Sequence, residues 1–450
     1  MAPTPPSTGT ARRSSPVSPP APIHRRRSAS TPWTIPSPFA SSVRPSQPHR
    51  PAKLGCKDCG MVDAERRSAA TSTGLQGHVH ALSPAVLERY RLFTAGRPLG
   101  PAQEPRWVEA WQDAAPVVVV ELTENGAPVL MLPLELARVG TLKVARFIGG
   151  RHANANYPAF RKQDAAPTDW LPVLRRSLRA SGHKADLLLL ERMNDEREGV
   201  RNPLLGFAVE PSPNLALAVT LADSFEDLLS RPLHRKRAAK NRAQARKFEA
   251  AGGWRRIEAD TPEEATRLLE AFFALKAERF RHAGIPDVFA EASTRDAFTD
   301  LFARGAVDAA PRFRMQGLEV GGKLRALTGT SYGTDRVTCE FGAIASDELS
   351  KQSPGEFLFY LNIEDAYARG AALYDFGVGD EPYKRSWCDA EMTHWDAVVP
   401  LSFKGRALAG MLRGAARLKT VLKRSPFLWR AFKRLRKQTA GATGSAGGED

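Results

Sequence analysis

The chain has 450 residues, 42% hydrophobic and 25% charged, close to ordinary globular usage, so it can bury the cores of one large or two modest domains. Its formal charge of +16 sits at the ends. Residues 1–60 hold nine Lys/Arg against Asp58 alone, residues 403–437 hold twelve and no acid, and the body 61–402 carries −2. Four scattered cysteines exclude a disulfide framework, the lone Cys56-x-x-Cys59 pair lacks the further ligands a tetrahedral zinc needs, and no run reaches the roughly 20 apolar residues that span a bilayer.

Residues 1–60 are rich in Pro, Ser, Ala and Arg without hydrophobic periodicity. Such a segment cannot bury enough apolar surface to offset its ordering entropy, so 1–74 is predicted disordered, or begins ahead of a translation start at Met61. The N-terminus has arginines but no apolar stretch, so no signal peptide is expected; the expected placement is cytoplasmic, either free or peripheral to the inner membrane. A first unit is predicted over 75–206. Leu82, Val86, Leu87, Tyr90 and Phe93 recur at helical spacing, and 107–111 reads as a second short helix. Strands at 117–122 and 128–136 flank Glu124-Asn125-Gly126, a strong hairpin signal. A strand at 142–148, a helix at 170–181 and a leucine-rich strand at 185–191 follow.

A second unit, 207–402, repeats that order. It opens with a basic helix at 231–251 and a strand at 254–258. A helix at 262–283 follows, with Thr261 as N-cap and Glu264 completing a capping box. After a helix at 293–304 come strands at 312–320, 323–332 and 336–343, turning on Gly321-Gly322 and Gly333-Thr334-Asp335. A helix at 354–369 and a strand at 373–377 close the unit. The shared order of helix, antiparallel hairpin, helix and strand predicts an α/β (α+β) protein of tandem halves, each a mixed, mainly antiparallel sheet with flanking helices. Residues 403–437 then place Leu408, Met411, Leu412, Ala415 and Leu418 at helical spacing among Lys and Arg. That basic amphipathic helix suits an anionic membrane surface or packing on the second unit. The Gly/Ala/Ser tail at 438–450 is expected to be loose.

Two stretches carry chemistry. Ser353-Pro354-Gly355 opens a helix, with Ser353 as N-cap, Pro354 at the first position and Gly355 permitting close backbone approach. Its free N–H groups suit a phosphate or belong to an ordinary capped helix. From Asp375 the chain leaves a strand through Gly377 and Gly379 and releases Asp380, Glu381, Tyr383, Lys384 and Arg385 into one loop. Groups clustered beyond a strand's end are typical of a site on a rigid scaffold; an ion-pair loop explains the charges but not both glycines. On the strand 336–343, alternation puts Thr338 and Glu340 on one face and Cys339 and Phe341 on the other, with Glu340 either a base or the partner of an arginine. His234, His282 and His394 stand singly and read as structural. No Cys/His or Ser/His/Asp set suggests a covalent intermediate.

The order SPGEFLFYLNIEDAYARGAALYDFGVGDEPYKRSW at 353–387 resembles the C-terminal signature of CelD-like acetyltransferase domains of the GNAT superfamily. The basic run 233–242 and the loop from Gly149-Gly150 to Asn156-Tyr157-Pro158 resemble further parts of that family, and the likeness covers about 80–402. It is similar, more distantly, to the FemAB aminoacyl transferases. The resemblance implies tandem GNAT-like halves and transfer of an acyl group from a thioester, acetyl-CoA or another, to an amine or hydroxyl in exopolysaccharide or envelope assembly. It implies Glu340, Asp380, Tyr383 and Lys384 as catalytic residues, with Lys384 on the donor carbonyl or a phosphate. Ser353, Gly355, Glu356 and Arg385 would bind the donor; Asn156, Tyr157, Arg235 and Asp375 would bind the acceptor. The usual Gly/Gln/Arg-rich pyrophosphate loop is missing, which leaves acyl carrier protein or aminoacyl-tRNA open as donor. A non-catalytic, membrane-peripheral GNAT-like scaffold is the alternative. The basic helix lacks base-stacking aromatics, which weighs against single-stranded nucleic acid.

Overall fold

The computed structural model describes residues 74–161, 170–221 and 223–424. The expectations for 1–73, including the CxxC, and for 425–450 lie outside the described residues.

Twelve of the chain's elements come first: β1 (Leu75–Ala81), α1 (Pro84–Thr94), α2 (Pro105–Trp111), β2 (Val117–Glu124), β3 (Ala127–Val139), β4 (Leu142–Phe147), β5 (Ala159–Phe160), α3 (Trp170–Ala180), β6 (Leu187–Met193), β7 (Glu196–Arg197), β8 (Val200–Arg201) and β9 (Val209–Pro211). There follow β10 (Ala216–Thr220), α4 (Phe225–Ser230), α5 (Arg237–Ala250), β11 (Trp254–Glu258), α6 (Pro262–Ala283), α7 (Ala292–Val307), β12 (Phe313–Val320), β13 (Lys323–Tyr332) and β14 (Arg336–Ile344). The rest are α8 (Pro354–Ala368), β15 (Leu373–Val378), α9 (Pro382–Arg385), β16 (Ala390–Met392), β17 (Trp395–Pro400) and α10 (Phe403–Arg424).

The hairpin signal at Asn125-Gly126 works as its chemistry requires: both residues take positive φ, 51° and 78°, and Glu124 pairs with Ala127. The Thr261 hydroxyl accepts from the Glu264 amide at 3.2 Å and caps α6. The predicted basic helix at 231–251 is broken. Arg231 leaves the helical region at ψ 145° because Pro232 crowds the residue before it, and the helix resumes only at Arg237.

Two sheets result. One runs β1-β2-β3-β4-β6-β17-β9 with β5 beside β3; the other runs β11-β12-β13-β14-β15-β10-β16. Each contains an antiparallel trio whose last strand meets a parallel neighbour: β4 with β6 in the first, β14 with β15 in the second. The fold is thus two halves in tandem, mixed α/β with mostly antiparallel strands, as the repeated element order predicts. Strand β17 returns from the end of the second half to pair with β6 and β9 of the first. A single apolar core joins the halves, as Trp107 of α2 stacks on Trp111 and meets Phe298 of α7 edge-on at 5.9 Å.

Register shifts interrupt several strand pairs, and one of them falls in β14. Gly329 pairs with Phe341 but Thr330 pairs with Cys339, so Glu340 is the extra residue of a β-bulge. Cys339 and Phe341 therefore do not share the face that alternation predicts: Cys339 packs among Phe359 and Phe376 on the α8 side, whereas Phe341 turns to the α6–α7 side, 4.3 Å from the Phe272 ring. A Cβ on Gly329 would overlap the Phe341 ring, so that glycine makes the turn possible.

Helix α10 rests on the first sheet and not on the second half, because Leu408 and Ala409 bury against Val144 and Leu187. Gly405 lets it approach the Asp186 carbonyl so closely that any Cβ would overlap the oxygen. Gly405→Leu is expected to lift the first turns of α10 off the sheet. Hydrogen exchange checks this: amides 406–412 should exchange at least tenfold faster while those of β13 stay protected.

Candidate active site

Strands β14 and β15 pair over three residues only, Arg336 with Leu373, Val337 with Tyr374 and Thr338 with Asp375. Beyond that point β15 follows β10 while β14 continues with β13 to Ile344, and the sheet opens. Glu340 stands at the opening. Its Oε1 accepts from the Ser331 hydroxyl at 2.6 Å, and its Oε2 accepts from Asn154 Nδ2 at 2.9 Å. The same amide donates to the Glu340 carbonyl at 2.6 Å, so a side chain of the first half closes the gap that β15 leaves.

Glu340 is 8% exposed. Burial pushes its carboxyl up to about 7, against the pull of the Ser331 and Asn154 hydrogen bonds, and the Asp375 carboxylate adds to the rise. Such a group is neutral or ionised at physiological pH with little bias, as a general base requires. Asp375 is fully buried, and its Oδ1 accepts from the Gly377 amide at 2.7 Å. Gly377 has φ 67°, and a Cβ there would stand 3.2 Å from Asn154 Cγ. Removing the Asn154 amide should cost about 1–3 kcal/mol, because it leaves one buried carboxyl oxygen and a carbonyl without their donor. It should also move Glu340 higher still, since that hydrogen bond holds the carboxyl down. For Asn154→Ala, urea unfolding and the acid limb of the pH–rate profile are the two measurements, with the limb moving to higher pH.

Helix α8 begins beside this opening. Ser353 is not the side-chain cap its type suggested. It lies at φ 56°, ψ 57° with no capping bond from its hydroxyl, and its carbonyl accepts from the Glu356 amide at 3.0 Å. Gly355 does permit close approach, for a Cβ there would stand 2.7 Å from Ile344 Cγ2. Glu356 is held by Arg237 at 2.7 Å and by Lys240, both from α5. Burial alone would raise its carboxyl, but those two hydrogen bonds hold it below the usual range. Gln244 and Lys247 of α5 also bond to Gln352, so a basic helix lines the start of α8.

Arg237 joins that start to the charged loop. Besides Glu356 it donates to the Ser386 carbonyl and, at 2.9 Å, to its hydroxyl, and its guanidinium lies 3.8 Å over the Trp387 ring. Tyr383 stacks on Phe359 of α8 with centroids 5.6 Å apart and planes 8° apart. Tyr383 is 41% exposed, and what burial its phenol has raises it further above its ordinary range, so it is protonated at neutral pH. The helix opening at Pro354 and the loop after β15 therefore lie side by side. Lys384 points inward: its ammonium is 3.2 Å from Glu381 and bonds the Val378 carbonyl at 2.9 Å, pinning the end of β15. Asp380 and Arg385 pair with each other on the exposed side, where Arg385 also meets Glu391.

Two residues singled out in the sequence are occupied elsewhere, and a third lies on the surface. Asn156 bonds to Gln103 and to the Glu191 carbonyl, and the Tyr157 hydroxyl donates to Val200, so both hold the first half together. Arg235 is exposed on the turn before α5, and Arg237 is the buried arginine of that run. The residues missed are Asn154, Ser331 and Arg237. Asn154 lies two positions from Asn156 in the same loop, and nothing in the local pattern tells which amide crosses to the other half.

Residues 235–385 match the acetyltransferase (GNAT) domain family. The fold is similar to the crystal structure of FemX, with a TM-score of 0.51 at 10% identity over 74% of this chain and 99% of that one. Weaker likenesses link it to the C-terminal domain of a putative lysylphosphatidylglycerol synthetase from Agrobacterium fabrum (0.46, 12%, covering 73% and 96%) and to a tandem GNAT protein from the clavulanic acid biosynthesis pathway (0.40, 14%, covering 72% and 98%). The likeness to FemX is one of fold. No curated protein sequence matches the chain.

Proposed function

We propose that this acyltransferase, whose residues 235–385 are a GNAT domain, moves an acyl group from a thioester to an amine or hydroxyl with Glu340 as general base. The observation that carries this reading is the bulged Glu340 at the opening between β14 and β15, buried, poised near 7 and oriented by Ser331 and Asn154. The acceptor attacks the thioester carbonyl while Glu340 takes its proton. The tetrahedral adduct expels the thiolate, breaking the C–S bond, and the thiolate takes a proton from the Tyr383 phenol, which is neutral at physiological pH. Glu340 must then pass its proton to solvent, and Tyr383 must regain one.

The donor's phosphates belong at the start of α8, against Lys240 and Lys247 and the exposed Arg235. Pro354 lacks an amide hydrogen and two further first-turn amides bond the Ser353 carbonyl, so side chains and not the helix terminus supply most of the charge there. Lys384 and Asp375 hold the scaffold of the site, and Asp380 and Arg385 its outer rim. The proposed setting is exopolysaccharide or envelope assembly, on the strength of the CelD-like signature at 353–387.

Turnover of acetyl-CoA with amino-sugar acceptors, read as free thiol, tests the proposal. Activity lost in Glu340→Gln supports it, and full activity there removes the assigned base. A peripheral membrane placement is a second reading, favoured by Phe403 and Met411 standing 83% and 64% exposed on a helix bearing Lys404 and Arg406. Flotation with anionic liposomes, comparing the full chain with one ending at Ser402, decides it. Loss of flotation on truncation is the expected result.

A further inference from the structure

Lys276 of α6 lies one helical turn beyond Phe272, the ring that packs against Phe341 next to Glu340. Its ammonium sits 5.7 Å over the Phe272 ring and 5.8 Å over that of Phe280. Among the described residues it has no hydrogen-bond or ion-pair partner. Burial lowers it to about 8, Arg279 adds like-charge repulsion, and the other charges acting on it are Cys339, Glu381 and Lys384, the groups around the end of β15. Glu381 is already committed to Lys384 at 3.2 Å. Arg279 is exposed, likewise unpaired, and its charge acts on Tyr383.

The two ring faces offset part of the ammonium's desolvation, but its N–H donors meet no acceptor among the described residues, so it can still take an anion. The described residues supply none within ion-pair distance, although the body of the chain as a whole is slightly acidic. The donor's phosphates, on the reading above, fall against α5 and the start of α8. The remaining source is the acceptor. We propose that Lys276, assisted by Arg279, receives a carboxylate or phosphate of the acceptor and so makes the enzyme selective for acidic acceptors. The inference rests on the acyltransferase reading for its choice of acceptor, but the anion site itself stands on α6. Selectivity should fade above about pH 8, as the ammonium loses its proton.

The test uses the full chain, acetyl-CoA, and glucosamine 6-phosphate against glucosamine, which differ only in the anion. The wild type should favour the phosphorylated sugar at least tenfold in kcat/KM. In Lys276→Met that ratio should collapse towards one through a 10- to 100-fold rise in KM for the phosphorylated sugar, with kcat falling far less. A ratio unchanged by the substitution overturns the proposal, as does a rise in KM for acetyl-CoA with the acceptor ratio intact, which would assign the anion to the donor. If neither sugar reacts, the rise in melting temperature with inorganic phosphate decides: lost in Lys276→Met, the anion site holds although the acyltransferase reading fails. An equal rise, or none in either protein, rejects the site.

Discussion

Glu340→Gln should lower kcat by 10²- to 10⁴-fold and at the same time stabilise the protein at alkaline pH. The first effect follows from removing a positioned general base. The second follows from where the carboxyl titrates. In the unfolded chain it ionises near 4.5, and in the folded chain near 7, because burial disfavours the charge. A folded value above the unfolded one contributes stability that is fully present below 4.5 and is lost as pH rises through 7. Above 7 the fold carries a buried carboxylate at a cost of roughly 3 kcal/mol, from about 1.36 kcal/mol per pH unit. Glutamine does not titrate. The gap between variant and wild type should therefore grow in the variant's favour by about that amount from pH 5 to pH 8, read as the urea midpoint at each pH. Wild-type kcat/KM should rise through the same window. A variant that keeps a tenth of the activity, or a gap flat with pH, would place the base elsewhere.

Arg237→Ala should cost about 3 kcal/mol, the low end for opening a buried ion pair, because Lys240 remains to hold Glu356. The loss has three parts: the pair with Glu356, two hydrogen bonds to Ser386 and the stack on Trp387. Lysine at this position restores only the first, since it has neither a planar fork nor a stacking face, so Arg237→Lys should fall between. Glu356 is depressed below its unfolded value, so its share is present above about 4.5 and disappears as pH falls through the folded value. The difference between wild type and Arg237→Ala should accordingly narrow in acid. Because Arg237 also sets the loop after Lys384 against α8, turnover should fall with stability even at temperatures where the variant is fully folded. Equilibrium unfolding at pH 7 and pH 4 checks the first statement. A cost below 1 kcal/mol at pH 7 would mean that the loop is held by other contacts.

The local pattern determined the elements and their order. Period-3.6 and period-2 spacing located most of the longer helices and strands, Asn125-Gly126 and Gly321-Gly322 located turns, and the Thr261 cap fixed the start of α6, because each of these depends on a few neighbouring residues. The CelD-like signature brought Tyr383 and the start of α8 into view, and the wider GNAT resemblance, which expects a base on the central strand, brought Glu340. The short strands β1, β9, β10, β16 and β17 escaped notice, since strands of three to seven residues with mixed polarity carry little periodic signal. Tertiary structure alone decided the rest. Which face Phe341 takes depends on a bulge set by the pairing of β13, which no alternation rule contains. That Asn154 and not Asn156 meets Glu340, and that Arg237 and not Arg235 is buried, depends on contacts made across 186 and 119 residues of chain. A side chain's partner at that distance is a matter of packing, and its sequence neighbourhood holds no record of it.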